Sequence, residues 1–130
     1  MGRFLLICLG GGLGTAARFL ISSGMARAFG PQFPRGTILI NVTGSFLIAL
    51  VMELSLRTGA ISPGVRLFLT TGVMGGYTTY SSFNYETLRL AEDGNIWLAA
   101  LNLGLTVAAC LAAGVLGLLA ARALSGAAAR

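Results

Sequence analysis

The apolar stretch Val65–Leu90 is long enough to cross a bilayer, yet its middle reads Gly75-Gly76-Tyr77-Thr78-Thr79-Tyr80-Ser81-Ser82-Phe83. Glycines and hydroxyls weaken a helix, and freed backbone at membrane depth survives only against protein, a cavity or an ion. The run is therefore both the main constraint on the fold and the first candidate for a working site.

The rest of the chain makes the membrane reading compulsory. Hydrophobic residues make up 55% and charged residues only 10% of 130 positions, with a mean hydropathy of +0.83; a soluble domain of this size is not built that way. Phe4–Met25, Thr37–Leu56 and Ile96–Ala121 join Val65–Leu90 as spans, each near the roughly 20 residues that cross a hydrocarbon core. Gly30-Pro31-Gln32-Phe33-Pro34-Arg35-Gly36, Thr58-Gly59 with Ser62-Pro63-Gly64, and Glu92-Asp93-Gly94-Asn95 punctuate them. Ser62-Pro63 reads as an N-cap followed by proline at the first helical position. Trp97 falls where an interfacial aromatic belongs. The expectation is an all-α membrane protein with four transmembrane helices per subunit, residues 1–130 forming a single domain.

Several other readings fail on inspection. Arg3, an apolar run and Thr15-Ala16-Ala17 imitate a secretory leader, but apolar character resumes at Phe19-Leu20-Ile21, so the segment reads as a retained helix. Gly12-Leu13-Gly14-Thr15-Ala16-Ala17 matches a dinucleotide fingerprint, yet the first acidic residue is Glu53, too distant to bind a ribose. Gly10 and Gly14, extended by Gly11 and Gly12, instead form a small-residue face for close helix packing. Cys8 and Cys110 lie in apolar helices without ligand spacing. With no histidine, a histidine-based triad or metal site is excluded, and no enzymatic activity is expected.

The net charge of +5 comes from nine arginines without a lysine, dispersed at span ends rather than gathered into a nucleic-acid surface. With the N-terminus inside, Arg3, Arg57, Arg66, Arg122 and Arg130 fall on the cytoplasmic side and Arg27, Arg35 and Arg89 on the other. Five against three is a weak bias, and such a chain can insert either way round.

Few polar residues lie within the spans. Arg18 sits inside the first helix; an arginine at helix centre costs at least about 2.5 kcal/mol by insertion scales, so it either snorkels or serves as a fixed positive charge that attracts anions. Tyr80, Phe83 and Glu86 share one helical stripe. Glu86 is expected to pair structurally, with Arg89 or another arginine near the surface, or to contact an ion. Asn102, Thr106 and Cys110 form a sparse polar stripe on the last helix. Asn41, Thr43 and Ser45 supply buried donors on the second, whose commoner use is to bond a neighbouring helix or their own backbone.

Taken together, Gly11-Gly12-x-Gly14-x-x-x-Arg18, Gly36-Thr37-x-x-x-Asn41-x-x-Gly44-Ser45 and Gly72-x-x-Gly75-Gly76-x-Thr78-Thr79-Tyr80-Ser81-Ser82-Phe83 resemble the signatures of the Fluc fluoride channels, also called the CrcB family. The match covers the first three spans in order. The resemblance implies a passive, fluoride-selective channel in the cell (plasma or inner) membrane, assembled as an antiparallel, dual-topology homodimer with two pores. It also implies a third helix broken at Gly75–Thr79, with carbonyls of Gly75 and Thr78 from both subunits holding one central Na+. Hard cations take such oxygen ligands. Carried over residue by residue, Tyr80 and Phe83 stand at the paired aromatics of the ion path. Asn41, Ser81, Ser82, Asn102 and Thr106 line the same path, and Arg18 its vestibule. The chain departs from the family in having Tyr80 where phenylalanine is usual and Ser82 where threonine is.

An aromatic edge is the positive side of the ring quadrupole and solvates an anion weakly. Hydroxyl and amide donors can replace the water of a tightly hydrated ion without trapping it. A small dual-topology exchanger of cations for protons is the rival reading, but it needs a carboxylate deep in the first helix, where this chain has Arg18. A non-transporting membrane subunit explains the glycines but not the ordered polar motifs. The expected partners are fluoride, a second copy and membrane lipid, with no nucleic acid.

Overall fold

A computed structural model describes residues 1–128; Arg130 lies outside the described residues. The described chain is helical throughout: α1 (Gly2–Phe29), α2 (Arg35–Thr58), α3 (Pro63–Leu67), a π-helical stretch Phe68–Met74, α4 (Gly75–Tyr77), α5 (Tyr80–Glu92) and α6 (Ile96–Ala128). Helices α1, α2 and α6 are single rods long and apolar enough to cross a membrane. The third span is a composite of α3, the π-helical stretch, α4 and α5.

Helix ends follow local chemistry. Ser62 Oγ accepts from Val65 N at 3.3 Å with Pro63 in the first turn, as the sequence predicts. Gly59 closes α2 in the left-handed region at φ 63°, a conformation open to glycine without steric penalty. Arg35 Nη1 donates to the Phe29 carbonyl at 3.0 Å, so the first residue of α2 covers the exposed end of α1.

Small residues set the packing. α1 lies against the third span along Gly10 and Gly14 of the glycine face read from the sequence, whereas Gly12, counted in that face, is exposed with nothing within 4 Å of an added Cβ. A Cβ at Gly10 would stand 2.7 Å from Phe68 O and 3.0 Å from Gly72 Cα, and one at Gly14 would press into Val73 O and lie 2.8 Å from Tyr77 N. Gly76 returns the contact, backing onto the Gly11 carbonyl and Thr15. α1 is thus a packed element of the bundle, as the retained-helix reading expects. α2 packs chiefly on α6, where Gly117 lets the α6 backbone meet Phe46 O. Glu53 of α2 ties the same pair at one end, bridging Arg57 Nε at 2.6 Å and Arg122 Nε at 3.1 Å.

The break is narrower than the resemblance implies. Gly75–Tyr77 remain helical, and only Thr78 and Thr79 are extended, with φ/ψ of −77/157° and −154/112°. Gly76 is used for close approach to α1, Gly75 meets nothing of α1, and the unwound Thr79 is held from α2 by Asn41. The π-helical stretch before the break has no counterpart among the sequence expectations.

Candidate functional site

The unwound residues are held by one side chain. Asn41 Nδ2 donates to the Thr79 carbonyl at 3.0 Å and Asn41 Oδ1 accepts from Thr79 N at 2.8 Å. Both groups are buried, and together they reproduce the paired bonding of a peptide against a neighbouring strand, satisfying a backbone unit that has left the helix ladder. Asn41 is buried on the same α2 face as Thr37 and Gly44. Gly44 admits Thr78 against the α2 backbone, and Tyr77 packs beside it. The Thr43 hydroxyl donates to Leu39 O at 2.7 Å, so the 2.9 Å contact with Tyr77 is a bond from the tyrosine hydroxyl to Thr43 Oγ1. Ser45 bonds its own backbone at Asn41 O, 2.7 Å away.

Beyond the break, Thr79 caps α5. Its Oγ1 accepts from Ser82 N at 3.1 Å, donates to Ser82 Oγ at 3.0 Å and lies 3.3 Å from Ser81 Oγ. This gathers Thr79, Ser81 and Ser82 into one hydroxyl cluster. Two carbonyls are released as a result. Thr79 N, the helical partner of Gly75 O, is taken by Asn41, and Ser82 N, the partner of Thr78 O, is taken by Thr79 Oγ1.

Tyr80 and Phe83 stand one turn apart, ring centroids 5.7 Å and planes 60° to each other. Phe83 is buried at 5% exposure, whereas Tyr80 is 77% exposed on the outer surface of a single copy. One turn further along the same helix, Glu86 Oε1 accepts from Thr37 Oγ1 at 2.8 Å, and its buried Oε2 has no partner among the described residues. The expected pairing with Arg89 is not formed. Arg89 turns to Glu92 at 3.1 Å and Asp93 at 3.5 Å, carboxylates nearer the exposed helix end. Thr37 and Glu86 open into a cavity of about 510 Å³ rimmed by Gln32, Arg35 and Arg89.

From Thr87, the residue after Glu86 on α5, a second polar line runs to α6. Thr106 Oγ1 donates to Asn102 Oδ1 at 3.4 Å, Asn102 Nδ2 to Thr87 Oγ1 at 2.8 Å, and Thr87 Oγ1 to the Phe83 carbonyl at 2.7 Å. Asn102 and Thr106 are buried at 1% and 4% exposure, and Cys110 follows one turn on, half-buried.

The family model described as CrcB-like protein, Camphor Resistance (CrcB), matches residues 5–118. The chain belongs to the CrcB family. Within it, a protein of Anaeromyxobacter dehalogenans named fluoride-specific ion channel FluC is 58% identical over 126 residues, 97% of this chain and 100% of that protein. Proteins of the same name from Sorangium cellulosum and Citrifermentans bemidjiense are 50% and 44% identical, each over 95% of this chain and 98% and 100% of their own lengths.

Of the residues that the CrcB motifs single out, Asn41, Ser81, Ser82 and Phe83 converge around the break, Thr78 forms part of it and Gly75 lies three residues before it. Asn102 and Thr106 join Phe83 through Thr87. Arg18 stands apart, half-buried on α1, in none of the ion pairs among the described residues and lining neither the cavity at Glu86 nor that at Arg3 and Arg66. Sequence reasoning gave no individual role to Thr37, Tyr77 and Thr79, which it named only within motifs, and it did not single out Thr87. Thr37 carried a usable signal, since it precedes Asn41 by four positions and Gly44 by seven on one helical face.

Proposed function

We propose that the chain is a passive, fluoride-selective channel that lets fluoride leave the cell, working as an antiparallel homodimer with two pores. The observation that carries the reading is 58% identity, over 97% of the chain, to a protein named as a fluoride-specific ion channel. The site chemistry supports it. Ser81, Ser82 and Thr106 offer hydroxyl donors, Asn41 and Asn102 offer amide hydrogens, and Tyr80 and Phe83 offer ring edges. None is cationic, so an anion is solvated along the path without a charge to hold it. Arg18 supplies the fixed positive charge at a vestibule completed by the second copy.

In acidic surroundings neutral HF enters a cell and dissociates, and a passive path lets the membrane potential drive the anion out. Glu86 contributes through Thr37, whose hydroxyl it orients, either as a structural partner or at the ion path itself.

A central Na+ fits the residues present. Carbonyls of Gly75 and Thr78 have lost their helical partners to Asn41 and Thr79, and freed carbonyls are the hard oxygen ligands such an ion takes. Gly75 and Thr78 of both copies would hold the ion through these carbonyls, and Na+ would supply the positive charge that satisfies oxygens left without a hydrogen-bond donor. The 77% exposed Tyr80 beside these carbonyls is the surface that a second copy would cover.

A bacterium lacking its own fluoride export provides the test. Expression of the wild-type chain should restore growth in fluoride at acidic pH, and Phe83→Ile, membrane-inserted at equal level, should not. Growth unchanged by the wild-type chain would refute the reading.

A further inference from the structure

We infer that Thr87 is a positioning residue that fixes which end of the Asn102 side chain faces the ion path. The inference rests on the channel reading above and goes beyond it, because Thr87 belongs to no motif and touches the path only through its neighbours.

A threonine hydroxyl has one proton and two lone pairs. The Thr87 proton is committed to the Phe83 carbonyl at 2.7 Å, the back-bond a helical threonine makes four residues upstream. What Thr87 turns toward α6 is therefore a lone pair, and only a donor can meet it. Asn102 answers with Nδ2 at 2.8 Å. The opposite amide orientation would set two oxygens against each other.

This fixes the rest of the line. With Nδ2 held by Thr87, Oδ1 must face Thr106, whose hydroxyl donates to it at 3.4 Å. One hydrogen of Nδ2 is spent on Thr87, and the second is uncommitted among the described residues. The 3.4 Å bond is long and weak, so the Thr106 hydroxyl can turn to an arriving anion at little loss. Asn102 is 1% exposed, and within one copy water does not compensate a misoriented amide. All donors in the line point one way, from Thr106 through Asn102 and Thr87 to Phe83 O. That order leaves one amide hydrogen free for an anion and one hydroxyl hydrogen, that of Thr106, only weakly held.

Without the Thr87 hydroxyl, the amide can rotate about its last bond and present Oδ1 to the path. An oxygen repels fluoride where a hydrogen solvated it. The predicted signature is loss of conduction that depends on Asn102 and is rescued by any side chain keeping the hydroxyl.

The experiment is fluoride efflux from liposomes holding the purified full-length protein, read by a fluoride electrode, with assembly checked by gel filtration. Thr87→Val, which keeps shape and loses the hydroxyl, should slow efflux about tenfold, the worth of one hydrogen bond to a polar partner. Thr87→Ser should stay within about twofold of wild type on the same scale. In an Asn102→Ala background, Thr87→Val should add nothing further. Thr87→Ala repeats the test where valine disturbs assembly. Wild-type efflux with an undiminished Thr87→Val rate, equal losses in the valine and serine variants, or full additivity with Asn102→Ala would each overturn the inference. Absence of fluoride efflux from the wild type would instead refute the channel reading beneath it.

Discussion

At the scale of single residues, Asn41 decides whether the third span can stay open. Its amide satisfies both polar groups of Thr79, and a buried group left without a partner costs about 1–3 kcal/mol. Asn41→Ala strands two such groups, so a thermal melt of the detergent-solubilised protein should drop by several degrees and fluoride efflux should vanish. A stable Asn41→Ala protein with normal flux would mean that the break is held by something else. The aromatic pair makes a separate test. Phe83→Ile keeps bulk and removes the ring quadrupole; efflux should fall severely while assembly by gel filtration is retained. Tyr80→Phe removes only a hydroxyl, so efflux should be preserved or raised, and its loss in a well-folded protein would place the hydroxyl rather than the ring edge on the ion path.

At the scale of elements, the contact between α1 and the third span is backbone against backbone. Gly14→Ala would drive a methyl group into Val73 O and to 2.8 Å from Tyr77 N, atoms that can yield only if the helices separate. Overpacking of this kind costs about 1–3 kcal/mol or more. Gly12 and Gly24, on the same helix, have nothing within 4 Å of an added Cβ, so Gly12→Ala and Gly24→Ala should melt near the wild-type temperature. Equal melting of all three variants would contradict the packing. The Gly10 and Gly14 contact was legible in the sequence because their spacing reveals it, though not that Gly12 lies off the face, and the span ends were legible since Ser62-Pro63 and Gly59 act locally. The π-helical stretch and the confinement of the break to Thr78 and Thr79 were not. They are set by contacts between α1, α2 and the third span, and the glycines that suggest unwinding are equally good for close approach. Thr87 was hidden for a related reason: its role exists only when α6 brings Asn102 beside it.

At the scale of the whole molecule, the arginines at the two ends are nearly balanced, five against three with the N-terminus inside. No strong orientation signal remains under the positive-inside rule. Reporter fusions at the C-terminus should therefore show both orientations, and a single orientation would rule out an antiparallel pair. Fluoride transport itself is settled most directly by ion efflux from proteoliposomes loaded with fluoride or chloride, with valinomycin and K+ setting the membrane potential. The account predicts rapid fluoride loss without any proton gradient, a direction that follows the imposed potential, and little or no chloride loss. Equal fluxes of the two anions, or fluoride movement only against a counter-transported proton or cation, would contradict it.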